Sequence, residues 1–372
     1  MKPTLALTLA LALCTAWAEA SGAVRSQPLT LNFGGTLSGA ELLHPDDGKA
    51  APLVLLIQGT GPEDRNGSFL TPGGMVQGSM GDLAQALARQ GFAVMRYDKR
   101  HAAQALNPAT FQAAQEAYAS LRMTDLLADA RTALQVALKQ PGINGRQVFV
   151  YGWSEGSVVA AALAQEIGAQ GLIVQGPVVD SFAATFANQF STVGLAYLTP
   201  YATQGLIDLG GVLKALMGPG SALARTQAAL LLDRTSTPAQ PKLATLLDSN
   251  QDGQLDLKRE VEPQLLGFYE AFMAAFPMYA PETTLPTLGT LAPKLRMPFL
   301  IVQGEHDGNV SAHFARQLNE ALRAAQGQPT LKLYPGLGHS LGPASGITQD
   351  NFAPMALEAM NDIATWLKAQ LR

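Results

Sequence analysis

The sequence holds a single cysteine, Cys14, among 372 residues, and it sits in an N-terminal stretch that reads as a leader. Without that stretch the chain has no thiol, which excludes disulfides, a cysteine nucleophile and thiolate metal sites. Charge is sparse as well. Only 15% of the residues are charged, 25 basic against 29 acidic, for a net charge of −4. No basic face is available for nucleic acid or an anionic membrane surface, so neither is expected as a partner. No apolar run reaches the roughly 20 residues that span a bilayer, so no stable membrane insertion is expected once the leader is gone. What is present is a globular composition: 47% hydrophobic residues with no long charge run or repeat, enough to bury a large core.

The first twenty residues, MKPTLALTLALALCTAWAEA, combine Lys2, an apolar run from Leu5 to Leu13 broken only by Thr8, and an Ala-x-Ala site at residues 16–18. This is the pattern of a secretory signal peptide, cleaved after Ala18 or Ala20. The mature protein is therefore expected in the periplasm or outside the cell. A lipoprotein box would want a small residue before Cys14, where Leu13 stands.

Short apolar segments bounded by turn residues, 52–59, 92–98, 147–152 and 171–176, read as buried strands. Helical patterns lie between them: GDLAQALARQG with its glycine stop, TDLLADARTALQVALKQ ended by Pro141 and Gly142, and SEGSVVAAALAQEIG. Such alternation predicts a mostly parallel twisted sheet with helices on both faces. The rhythm stops near Pro177 and returns with strands in 297–307 and 330–336 and a last amphipathic helix. We expect a core of residues 21–180 and 293–372, interrupted by a helical cap insertion at 181–292.

Two stretches spell Gly-x-Ser-x-Gly, GWSEG at 152–156 and GHSLG at 338–342. A nucleophile elbow needs a strand that turns sharply into a helix, with small residues on either side of the serine. Ser154 has the strand QVFVY before it and a helix of small residues after it. Ser340 is followed by LGPASG, whose glycines and proline forbid an immediate helix, and no histidine follows His339 to serve it. Ser154 is the candidate nucleophile.

Of the five histidines, only His339 follows the last strand, where the base of this triad order belongs. Asp307, just past the strand in IVQGEHDGNV, is the candidate acid that orients it, with Glu305 and Asp180 as alternatives. Two backbone N–H groups are needed for a tetrahedral oxyanion. One is that of Glu155, the residue after the nucleophile. The other comes from the loop QGTGPEDRNG, with Thr60 first and Gly61 second.

With these residues in place the chain resembles the α/β-hydrolase superfamily, and within it a bacterial branch carrying an oxyanion loop like GTGPEDRNG, then RYDKR, then a GxSEG elbow. All three occur here, at residues 59–67, 96–100 and 152–156, and the resemblance spans 28–180 and 293–372. It implies the superfamily's sheet, a Ser154–Asp307–His339 triad, and ester or amide cleavage. Two positions depart from the branch. His101 follows RYDKR where glycine is usual, and Gln58 precedes the oxyanion loop where histidine is frequent. In the same motif context, Asp64, Arg65, Lys99 and Arg100 are expected to form an ion-pair network shaping that loop.

Within the insertion, DSNQDGQLDLKRE approaches a calcium loop, with Asp248, Asn250 and Asp252 at its first, third and fifth positions. Its twelfth position holds Arg259 where a bidentate glutamate belongs, and Glu260 comes one residue late. A polar helix-to-helix turn is the competing reading. Phe268, Phe272 and Phe276 recur at helical spacing as a core stripe, with a share of them expected to line an apolar acyl or aryl pocket. Together these readings give an exported, monomer-capable serine hydrolase. It acts on small ester or amide substrates through an acyl-enzyme and requires no cofactor, with calcium an open addition. Peptide cleavage, or a non-catalytic binding protein of the same fold, is the alternative.

Overall fold

The computed structural model describes residues 23–71, 74–280 and 282–371; the leader lies outside them. Eight strands form one sheet: β1 (Val24–Phe33), β2 (Thr36–Pro45), β3 (Ala51–Ile57), β4 (Ala93–Tyr97), β5 (Ile143–Trp153), β6 (Gly171–Gln175), β7 (Phe299–Gly304) and β8 (Thr330–Tyr334). Their spatial order is β1-β2-β4-β3-β5-β6-β7-β8. From β4 onward every pairing is parallel, whereas β1–β2 and β2–β4 are antiparallel. The antiparallel pair β1–β2 is absent from the sequence reading. Its signal is Gly34–Gly35, both at positive φ, a two-residue hairpin turn flanked by alternating residues.

The helices that matter for the site are α1 (Met80–Arg89), α2 (Met123–Leu138), α3 (Glu155–Ile167), α4 (Phe182–Gln189), α5 (Glu262–Ala274), α6 (Ala312–Ala324) and α7 (Leu357–Ala369). Strand β3 shows how they are layered. All seven of its residues are buried, and because side chains alternate across a strand, Leu53, Leu55 and Ile57 enter one core while Val54 and Leu56 enter another. The first core is closed by α2, α3 and α6, the second by α1 and α7. Truncating a side chain such as Leu55 to alanine would cost about 2–5 kcal/mol through the cavity left behind.

Between β6 and β7 the chain leaves the sheet and runs through helices, π-helical turns and a two-residue antiparallel pairing of Leu206–Ile207 with Leu255–Asp256. Its helix α5 packs on α4, and buried residues of this segment, including Leu257, Val261 and Leu265, continue the first core. No described helix is long and apolar enough to cross a membrane.

Candidate active site

Strand β5 runs straight into α3, and Ser154 stands at the junction with φ 54° and ψ −123°. A non-glycine residue held at positive φ is uncommon and strained. The flanking glycines make the turn feasible. A Cβ on Gly152 would lie 2.4 Å from the Gly156 carbonyl oxygen, and one on Gly156 would lie 2.3 Å from the Gln58 carbonyl oxygen. Both clashes are with main chain, so neither position admits a side chain. At the other Gly-x-Ser-x-Gly match, Ser340 Oγ donates to the Ala353 carbonyl at 2.6 Å and accepts from the Gly342 N–H, a structural bond.

His339 and Asp307 meet from loops 32 residues apart in sequence, with His339 Nδ1 at 2.8 Å from Asp307 Oδ2. Both side chains are buried. Asp307 is fixed by three donors: Oδ1 accepts the N–H groups of Asn309 and Val310, and Oδ2 also accepts Gln303 Nε2–H. Burial works against an imidazolium at His339, but attraction and hydrogen bonding to Asp307, with a smaller pull from Asp350, prevail and leave its pKa above the ordinary value. A proton on Nδ1 facing the carboxylate leaves Nε2 as the acceptor nitrogen.

A cavity of about 190 Å³ is lined by Ser154 and His339 together with Gly59, Thr60, Glu63 and Asn309 among others. Thr60 and Glu155, the proposed oxyanion donors, come from the two segments that meet at Ser154. A Cβ on Gly59 would stand 3.5 Å from Ser154 Cβ, so the loop after β3 lies directly on the elbow. Glu155 opens α3, so its N–H has no preceding helical turn to bond. Gly61, at φ +97°, gives its carbonyl to the Glu63 N–H.

Several neighbours of Ser154 and His339 escaped the sequence reading. Asp350 Oδ2 accepts the main-chain N–H of His339 at 2.7 Å and that of Gly308 at 3.0 Å, tying the His339 loop to the Asp307 loop. Burial holds the Asp350 carboxyl above its usual range, with Asp307 adding to the rise and the two N–H groups opposing it. Gln175 Nε2 and Trp153 Nε1 both donate to the His339 carbonyl. Glu63 is buried beside the cavity, and loss of solvent pushes its carboxyl well above the carboxylate range, against the pull of Lys99. Asp350 and Gln175 lie in no motif, and the motifs that contain Glu63 and Trp153 assign their side chains no role. Each is defined by what the fold puts opposite it.

The expected ion-pair network exists in a different form. Asp64, Arg65, Lys99 and Arg100 do not pair with one another. Arg65 makes a two-pronged pair with Asp98, Arg100 with Asp129, and Lys99 with Glu155. Asp64 instead accepts the N–H groups of Asn66 and Ser68, closing its own loop. His101 has φ 67°, so the position after RYDKR does call for a residue tolerant of the left-handed region, and histidine is tolerated there at some cost. Gln58 spans the carbonyls of Asp64 and Tyr97.

Of the alternative acids, Asp180 faces Gln317, and Glu305 pairs with Arg316. The phenylalanine stripe is also redirected. Phe268 and Phe272 stack on each other beneath the Arg234 guanidinium, and Phe272 packs on Phe276. The α5 residues facing the larger 240 Å³ cavity, next to Phe182 and Tyr279, are Glu270, Met273 and Ala274.

In the calcium-like loop, Asp248 gives both carboxylate oxygens to the N–H groups of Asp252 and Gly253, and Asn250 Oδ1 accepts the Asp252 N–H. Glu260 folds back onto Ser249 Oγ–H and onto the N–H groups of Asn250 and Asp256. These oxygens accept main-chain N–H groups and the Ser249 hydroxyl, and no cluster of three or more His, Cys, Asp or Glu able to hold a metal occurs among the described residues.

Comparison with known proteins bears on the fold. The family model for serine aminopeptidase S33 matches residues 73–227, and that of the dienelactone hydrolase family matches 266–371. No curated protein sequence matches the chain. Among solved structures, Est1E from Butyrivibrio proteoclasticus is 14% identical over 92% of this chain and 98% of its own, with TM-score 0.49. Dienelactone hydrolase from Anabaena variabilis is 13% identical over 94% and 99%, at 0.47. Porphyromonas gingivalis dipeptidyl peptidase 4 is 14% identical over 92% of this chain, also at 0.47. The chain spans only 35–36% of the length of the dipeptidyl peptidase structures it matches. Two hydrolase family models, one ending within the segment after β6 and the other covering β7 to the last helix, meet on a single mostly parallel sheet flanked by helices: the chain has the α/β-hydrolase fold.

Proposed function

We propose that the protein is a serine hydrolase that cleaves carboxylic esters of small molecules through an acyl-enzyme. The observation that carries this reading is Ser154 at positive φ on the strand-to-helix turn, sharing a cavity with a buried His339 whose Nδ1 faces Asp307. His339 Nε2 takes the Ser154 hydroxyl proton as Oγ attacks the substrate carbonyl. The carbonyl oxygen becomes an oxyanion held by the N–H groups of Thr60 and Glu155, with Gly61 as an alternative donor. The imidazolium, stabilised by Asp307, returns its proton to the departing alkoxide as the acyl C–O bond breaks. A water molecule then repeats the cycle on the acyl-enzyme, giving the carboxylic acid and free Ser154.

The segment between β6 and β7, residues 181–292, acts in this reading as a cap over the nucleophile. Amide or peptide cleavage is the second reading, favoured by the match to the serine aminopeptidase model over the residues that contain the elbow. The apolar run and Ala-x-Ala site at the N-terminus support export to the periplasm or medium, which N-terminal sequencing of the mature protein checks.

The test is to incubate the protein with a fluorophosphonate probe and then with p-nitrophenyl esters of several chain lengths and matched peptide anilides. Labelling and ester turnover that both vanish in Ser154→Ala are expected. No labelling and no turnover in the unaltered protein would instead make it a binding protein built on a hydrolase fold.

A further inference from the structure

We propose that Lys99 is a positioning residue for the oxyanion hole, held in place by a buried clamp of Glu155, Tyr118 and Tyr279 that draws the inserted segment into the catalytic machinery. The inference rests on the serine-hydrolase reading above and extends it from the Lys99 and Glu155 side chains to Tyr118 and Tyr279, which lie in none of the three motifs.

Lys99 is buried, and its ammonium has three partners: the Gly59 carbonyl oxygen, Tyr118 Oη at 2.9 Å and Glu155 Oε1 at 3.0 Å. The Gly59 carbonyl belongs to the same planar peptide unit as the Thr60 N–H. Holding that oxygen therefore fixes the direction in which Thr60, a residue lining the cavity, points its hydrogen. A cation on the oxygen also draws electron density out of the peptide and makes its N–H a stronger donor. The counter-ion is Glu155, whose own N–H is the other oxyanion donor. One buried ion pair thus joins the two walls of the hole.

The Glu155 carboxylate is completed by two phenols, Tyr118 from the core and Tyr279 from the inserted segment. Oε1 also accepts Tyr118 Oη–H at 3.0 Å, and Oε2 accepts Tyr279 Oη–H at 2.7 Å. Burial, and then the neighbouring Glu155 charge, push both phenols well above their ordinary pKa, so they remain donors. Tyr279 lies in the segment between β6 and β7, 124 residues from Glu155 in sequence, and its ring packs on Phe182 at 4.5 Å between centroids. A fully buried ion pair is a poor stabiliser, because desolvation offsets its attraction. Its placement beside the elbow gives it a catalytic reason instead.

The experiment compares Tyr279→Phe, Tyr118→Phe, Lys99→Arg and Lys99→Met. The fraction of active sites is counted by fluorophosphonate titration, and kcat per titrated site, KM, and the Ki of a boronic acid that forms a tetrahedral adduct on Ser154 are measured. Loss of one well-aimed oxyanion donor costs on the order of 10² to 10³ in kcat, so Lys99→Met is expected to lose about that much and Tyr279→Phe about 3- to 10-fold. KM should barely move, the boronate Ki should rise in step with the fall in kcat, and Lys99→Arg should recover part of the loss. If Lys99→Met fails to fold, the two tyrosine variants, each lacking a single hydroxyl, still decide. Unchanged kcat per titrated site and unchanged Ki in Tyr279→Phe and Tyr118→Phe would overturn the clamp. Absence of labelling in the unaltered protein would overturn the hydrolase reading itself.

Discussion

The imidazole of His339 and the carboxylate of Asp307 are joined at 2.8 Å with both side chains closed off from solvent. Because that contact raises the His339 pKa above 6.5, the neutral base becomes available only as pH climbs through the raised value. The acidic limb of kcat/KM is expected to have its midpoint above 6.5. Linkage has the opposite sign: the stabilisation gained by a charged His339 is complete below the unfolded pKa and is lost as pH rises through the folded one. Asp307→Asn should lower kcat on the order of 10³- to 10⁴-fold. A pH–rate series on both proteins checks this, and a limb lying below 6.5 would contradict it.

Asp350 acts on the same base from the other side. Asp350→Asn removes a negative charge that helps hold the His339 pKa up and weakens the bonds to the N–H groups of His339 and Gly308. The acidic limb should move down in pH, with a stability loss of about 1–2 kcal/mol. The limb position from pH–rate data and the denaturation midpoint test the two effects separately.

Gly176 is at φ +54°, and a Cβ there would come within 2.8 Å of His339 Cε1 and 3.0 Å of its Nδ1. Gly176→Ala is expected to displace the imidazole from Asp307 and lower kcat at least about 10-fold, with a modest cost of about 1 kcal/mol in stability from the backbone alone. Retention of full turnover would show that the ring can move without losing its alignment.

The two serine motifs should separate cleanly. Ser340→Ala loses the bonds to the Ala353 carbonyl and the Gly342 N–H, for a loss of about 1–2 kcal/mol in stability. Fluorophosphonate labelling should persist at the unaltered stoichiometry, whereas in Ser154→Ala it should disappear. Mass spectrometry of the labelled peptide reads the difference directly.

Glu260 accepts hydrogen bonds from Asp256, Ser249 and Asn250, led by the Asp256 N–H, and these lower its pKa below 4.5. A depressed carboxyl contributes stability that is present at neutral pH and lost as pH falls through the folded pKa. Glu260→Gln should cost about 1–2 kcal/mol near neutrality and flatten the acid dependence. A chelator should leave the midpoint of the unaltered protein unchanged. A calcium-dependent rise in that midpoint would show that the loop takes an ion after all.

Much of the core was legible in the sequence because its information is local. Strands β3 to β8 are short apolar runs punctuated by glycine, and the elbow is contiguous: strand, Gly152 to Gly156, helix. The β1–β2 hairpin was missed because most of its outer strand is only partly buried or exposed, so its alternation is weak, although Gly34–Gly35 marked the turn.

What the sequence determined by itself was the order of strands β3 to β8 with the helices between them and the residue types available for acyl transfer, since periodicity and turn chemistry act over a few residues. The tertiary structure decided which charges meet. Lys99 pairs with Glu155, 56 residues away, Arg100 with Asp129, and His339 with both Asp307 and Asp350. A charged group finds its partner through the strand order of the sheet, and the attraction between two side chains leaves no periodic trace along the chain. The same holds for Tyr279, whose place against Glu155 depends on how a whole inserted segment packs back onto the core.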